Sequence, residues 1–122
     1  MVPLGNRWPL AKEQYLAWHR NREGFCLGNI LACQVDEQTT VVHMLAQKGL
    51  VSRANPRPLQ YRALGLCLQK LRCFAAGLRD ASVHMPRIGC GLAGGSWEHV
   101  EVFVRTELVE HGLDVWVYDL PN

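Results

Sequence analysis

The 122-residue sequence has no Cys-x-x-Cys pair, no apolar run of membrane-spanning length, no internal repeat and no low-complexity tract. Each absence closes off a class. Without about 18–20 consecutive apolar residues, no transmembrane helix is expected. Met1–Leu10 lacks the charged region and apolar block of a signal peptide. The five cysteines (Cys26, Cys33, Cys67, Cys73 and Cys90) are odd in number and unpaired in spacing. That pattern argues against a disulfide framework or a zinc knuckle, and points to a reducing, cytoplasmic setting. The five histidines never fall at metal-ligand spacing, so no metal is expected. Charge of one sign is missing too. Thirteen Lys/Arg face eleven Asp/Glu, a mixed surface of formal net charge +2 whose slight excess favours the approach of an anionic ligand.

What is present is the composition of a globular domain. The apolar share is 48%, close to the usual ~45–50%. A chain of this length is expected to form one domain, over residues 1–122.

Local patterns place the elements. Pro9 opens a helix in which Trp8, Ala11, Tyr15 and Trp18 recur at three- and four-residue steps on one face. Gly28–Val35 and Thr39–Ala46 are β-rich runs around Asp36-Glu37-Gln38, the signature of a hairpin. The second run hardly alternates, so both its faces should be covered. Lys48–Arg57 is broken by Gly49, Ser52, Asn55 and Pro56 and reads as a loop. A helix is predicted near Leu59–Leu78, with Tyr61, Leu64, Leu68, Leu71, Ala75 and Leu78 in one stripe. Ser82–Pro86 reads as a strand, Ser96 as the N-cap of a helix over Trp97–Glu110, and Leu113–Tyr118 as a last buried strand. Strand, loop, helix and strand in this order make a βαβ unit, and the class is α/β.

The loop in that unit is Gly89-Cys90-Gly91-Leu92-Ala93-Gly94-Gly95. Gly89, Gly91 and Gly94 satisfy G-x-G-x-x-G between a strand and a helix. Glycines let backbone approach a ligand closely, and the helix N-terminus that follows favours a phosphate. A plain turn needs one or two glycines, so four favour phosphate binding over tight packing alone. One reading is a Rossmann-like dinucleotide-binding fragment with Asp119 on the ribose. Against it, almost no chain follows Asp119 to complete a doubly wound sheet.

His84-Met85-Pro86-Arg87-Ile88-Gly89-Cys90-Gly91-Leu92, with Trp97-Glu98 at the next helix start, carries the other reading. This stretch resembles the second ligand loop of macro domains, in the branch of the terminal ADP-ribose protein glycohydrolase and the antitoxins that strip ADP-ribose from DNA. The resemblance implies a three-layer αβα domain with a mixed central sheet and ADP-ribose in a cleft at the sheet edge. It implies that Gly89, Cys90, Gly91, Leu92, Ala93, Gly94 and Gly95 wrap the pyrophosphate and distal ribose. No separate cofactor is implied. Lys48 falls where that branch has the lysine that attacks the distal ribose, a role that requires a lowered pKa. The alternative for Lys48 is a solvated loop lysine. The implied partners are ADP-ribose itself or ADP-ribosylated protein or nucleic acid, and the implied activity is de-ADP-ribosylation; a non-catalytic reader of ADP-ribose is the alternative.

Two departures from the family pattern shape these expectations. Ala93 stands where the branch has a catalytic aspartate, leaving carboxylate assistance to Glu98 or the step to water. Nothing before Arg7 matches the family's opening strand, its Gly-Asp-Ile/Leu and its first glycine-rich loop, so the expected domain is N-terminally short.

Other conspicuous residues have plainer readings. The four tryptophans are expected as core or cleft walls. His43 and His84 are expected as hydrogen-bonded structural histidines, and Cys90 as a packing residue. Arg53, Arg57 and Arg62 form a basic cluster near Lys48, expected to be solvated.

Overall fold

The computed structural model describes residues 8–49, 52–90 and 93–119. Helix α1 spans Pro9–Asn21, with proline in its first turn and Arg22 in the left-handed region at its end. The hairpin follows as β1 (Ile30–Gln34) and β2 (Thr40–Met44), paired antiparallel with Cys33 opposite Val41. Gln38 closes the turn by donating its N–H to the Asp36 carboxylate at 2.8 Å.

The hairpin lies between two helices, which is why β2 does not alternate. Cys33 and Val41 cluster with Ala11 of α1 and half-buried Trp8 and Leu31. Ile30, Val42 and Met44, on the opposite face, pack on the main core built by α2, Tyr61–Ala76. One nitrogen of His43 lies 3.1 Å from the Ala11 carbonyl, tying β2 to α1. Burial pushes the His43 pKa below its ordinary value, and the Ala11 contact partly opposes this.

Helix α2 presents Leu64, Cys67, Leu68, Leu71 and Ala75 inward as one stripe, each large side chain contributing about 1.5–3 kcal/mol by burial. Leu78, expected in that stripe, lies past the helix end and is exposed. Helix α3 (Trp97–Glu107) adds Val100 and Val104, and Leu108 is fully buried beyond it. A turn of 3₁₀ helix, Val109–His111, then takes the place of the predicted last α-helical turn.

The βαβ unit has the expected parallel pairing. Strand β3 (Ser82–Pro86) runs parallel to β4 (Asp114–Tyr118), with His84 opposite Trp116. Among the described residues the strands form two separate two-stranded sheets, one antiparallel and one parallel. Val83, Met85 and Val115 face the helical core. The opposite face of β3–β4 carries Ser82, His84, Trp116 and Tyr118, all exposed. The expected burial of the last strand is therefore corrected. No described element covers this face, so Trp116 is not a core residue and remains 54% exposed. His84 belongs to the same surface, lying 2.7 Å from the Tyr118 hydroxyl and stacked on Trp116.

Candidate functional site: the glycine loop and the segments that clamp it

The loop between β3 and α3 is shaped by crowding. Gly89 and Gly94 have φ of +75° and +76°, a region that side-chain-bearing residues seldom adopt. A Cβ on Gly94 would stand 2.7 Å from the Pro56 carbonyl oxygen and 2.9 Å from Arg57 Cα. A Cβ on Gly95 would overlap the Gly89 carbonyl oxygen and Leu59 Cδ2. The loop closes on itself where Gly95 donates its N–H to the Gly89 carbonyl at 2.8 Å. Glycine at these positions is a packing requirement as well as a conformational one.

Two neighbouring segments hold this loop. Leu59 donates its N–H to the Ala93 carbonyl at 3.1 Å. The same stretch binds the end of the hairpin, since Lys48 donates its N–H to Pro58 at 2.9 Å and Gln60 donates to Ala46 at 2.7 Å. Buried Pro58 and Leu59 are thus the splice between Lys48 and the loop. The main chain of Lys48 is two hydrogen-bonded steps from Ala93, although 45 residues separate them in sequence.

The side chains of the expected site stand as follows. Gly89, Cys90 and Ala93 are half-buried, as is Gly95, and Gly94 is exposed. The Cys90 thiol lies 3.6 Å from the Ile88 carbonyl and the residue packs on the core, in keeping with a packing role. Gly91 and Leu92 lie outside the described residues. Lys48 is exposed. Glu98 is exposed in the first turn of α3. Ser96 occupies the N-cap position of α3, but its side chain makes no cap; its backbone N–H donates to the Tyr61 hydroxyl at 3.0 Å. Among the described residues no side chain caps the start of α3, where the positive end of the helix dipole lies.

Tyr61 is a member of the site that the sequence pattern placed only in a helical stripe. Its ring stacks on Phe103 with centroids 6.0 Å apart. Having accepted from Ser96, its hydroxyl can donate to Nδ1 of His99, 3.5 Å away. The Arg57 guanidinium sits over the same ring at 4.6 Å. Arg53, Arg57 and Arg62 are all exposed, as expected of a solvated cluster, and Arg57 also has an aromatic partner. The available signal was Pro56-Arg57-Pro58, where two prolines fix the backbone on either side of one arginine; its contact with Tyr61 needs the fold.

The comparisons with solved structures agree with one another. The chain is 39% identical to a macrodomain protein from Streptomyces coelicolor, with a TM-score of 0.82 over 97% of this chain and 75% of that one. The chain belongs to the macrodomain family. Two structures from Bacteroides thetaiotaomicron, one described as a protein of unknown function, superpose at TM-scores of 0.91 and 0.89. They are 38% and 37% identical to this macrodomain, which spans 74% and 76% of their chains. A further match, 37% identical over 49 residues, is to Chromodomain-helicase-DNA-binding protein 1-like from Mus musculus, and covers 40% of this chain and 5% of that protein. No family model matches the sequence. Family membership removes the dinucleotide-fragment reading, and the carboxylate of Asp119 is paired with Arg87 at 2.6 Å. Among the described residues no helix is long and apolar enough to cross a membrane, and no three His, Cys, Asp or Glu side chains gather to hold a metal.

Proposed function

We propose that this macrodomain recognises ADP-ribose through the Gly89–Gly95 loop and removes it from modified protein or nucleic acid. The observation that carries the reading is the clamped loop, with two left-handed glycines set against Leu59 and the Pro56–Arg57 backbone and the uncapped start of α3 beside them. Such a loop offers backbone N–H groups and a helix dipole to a pyrophosphate.

Lys48 is proposed as the nucleophile. Its main chain is tied to the loop through Pro58 and Leu59, which anchors it at the loop's side. The amine attacks the anomeric carbon of the distal ribose, the bond to the acceptor oxygen breaks, and water releases ADP-ribose and restores the amine. Ala93 supplies no carboxylate, so water reaches the intermediate with help from Glu98 or unaided.

A second reading, a reader that binds ADP-ribose without chemistry, is favoured by Ala93 and by the exposure of Lys48. Turnover decides between them. A mono-ADP-ribosylated protein is incubated with wild type and with Lys48→Ala, and released ADP-ribose is followed by mass spectrometry. The hydrolase reading expects release by wild type and its loss in Lys48→Ala. Binding without release establishes the reader, and equal release by both proteins removes Lys48 from the mechanism.

A further inference from the structure

The segment between β2 and α2 holds the backbone of Lys48 from both sides. Its N–H donates to the Pro58 carbonyl at 2.9 Å, and its carbonyl accepts from the Asn55 side-chain amide, also at 2.9 Å. The residues on either side are tied as well. Gln47 Nε2 donates to the Gly49 carbonyl at 2.9 Å, and Gly49 has φ of +73°. A Cβ on Gly49 would stand 3.3 Å from the Asn55 amide nitrogen, so glycine keeps open the approach that this amide makes.

Asn55 is itself fixed. Its backbone N–H donates to Ser52, whose carbonyl and hydroxyl oxygens each lie at 3.1 Å, and its carbonyl accepts from the Ser52 N–H at 3.0 Å. Pro56 follows it and restricts its backbone further. A turn closed by backbone bonds thus delivers one side-chain donor to the Lys48 carbonyl, seven positions back in the chain.

We infer that Asn55 is a positioning residue for Lys48, an inference that rests on the proposed role of Lys48 as nucleophile. With N–H and C=O both bonded, the two peptide groups of Lys48 are held, and the direction in which its Cα–Cβ bond leaves the chain is set. Lysine has a long, flexible stem. On an exposed and unanchored backbone its amine would seldom align with a reacting carbon; an anchored backbone leaves only the side-chain torsions to order. Asparagine suits the task. It favours turns, and its amide donates without the negative charge by which an aspartate would hold the Lys48 amine protonated.

Steady-state release of ADP-ribose from a mono-ADP-ribosylated protein, with calorimetry on free ADP-ribose, tests this. Asn55→Ala should lower kcat at least about ten-fold, since about 1 Å of misplacement costs up to about a hundred-fold, and should leave KM and ADP-ribose affinity unchanged. Ser52→Ala removes a bond from the same turn and none from Lys48, and the backbone bonds still close the turn, so its kcat should be that of wild type. Wild-type kcat in Asn55→Ala, with Lys48→Ala inactive, overturns the inference and leaves the nucleophile in place. An equal loss in Ser52→Ala, or a loss of affinity along with kcat, overturns it too, because a loosened loop then accounts for the change. Absent release by wild type, or equal release by Lys48→Ala, overturns the nucleophile reading and this inference with it. Asn55→Asp covers the case in which Asn55→Ala fails to fold, since it keeps the turn and loses the donor. Its kcat should fall and stay low as pH is raised; recovery at high pH assigns the loss to charge on the Lys48 amine and overturns the inference.

Discussion

Alanine at Gly94 and at Gly112 separates the clamp on the glycine loop from ordinary backbone strain. Both residues have left-handed φ, +76° and +86°. A Cβ at Gly94 meets the Pro56 carbonyl at 2.7 Å and Arg57 Cα at 2.9 Å, whereas at Gly112 nothing lies within 4 Å. The conformational penalty, about 1–2 kcal/mol, is common to both. So is the gain of about 0.4–1 kcal/mol from a less flexible unfolded chain. What differs is overpacking against backbone that cannot swing away, about 1–3 kcal/mol. For a domain of this size, about 1 kcal/mol moves Tm by roughly 4 °C. Gly112→Ala should therefore lower Tm by roughly 4 °C and Gly94→Ala by a further ~4–12 °C. Both remain folded, given a total stability of about 5–15 kcal/mol. Thermal unfolding followed by circular dichroism reads the difference. Equal shifts would refute the close approach of the loop to Pro56–Arg57, and with it the shape on which the proposed phosphate site depends.

Three further outcomes follow from the packing. Leu68 is 0% exposed, so Leu68→Ala should cost about 2–5 kcal/mol in urea unfolding, while Leu16→Ala on the open face of α1 stays within about 0.5 kcal/mol. Burial holds the His43 pKa below its ordinary 6.5, so the unfolded chain takes up its proton first as pH falls. The stability this histidine contributes is then complete above pH 6.5 and is lost below it; His43→Gln should flatten the acid limb of Tm against pH, and an unchanged limb would contradict the assignment. Cys26 and Cys73 are exposed, while Cys33 and Cys67 are buried with their thiol pKa values pushed up by that burial; iodoacetamide on the native protein should label the first pair and spare the second, read by peptide mass mapping.

The elements were legible because their signals are local. Pro9, the Asp36-Glu37-Gln38 turn and the Leu64–Leu68–Leu71–Ala75 stripe each follow from spacing or backbone chemistry, and each element stands within a few residues of its predicted place. The lack of alternation in β2 correctly implied two covered faces. The same reasoning failed for Leu113–Tyr118. Apolar content reports what a strand offers for burial, not whether a neighbour covers it, and no described element lies over Trp116 and Tyr118. Ser96 shows a second limit. Residue preference places it at the N-cap position, but its side chain makes no cap there, and its N–H goes to Tyr61, 35 positions away. At the site, the glycines marked the loop between β3 and α3, while the splice from Lys48 through Pro58 and Leu59 to Ala93 consists of backbone bonds between distant segments. Such bonds carry no side-chain signature.

The most direct test of the account is calorimetric titration of the purified chain with free ADP-ribose, with AMP as the control. The account predicts micromolar affinity for ADP-ribose, about −8 kcal/mol, and clearly weaker binding of AMP, which lacks the pyrophosphate and distal ribose. A folded protein that gives no binding heat with ADP-ribose, or that binds AMP equally well, would contradict the assignment of the Gly89–Gly95 loop as the ADP-ribose site.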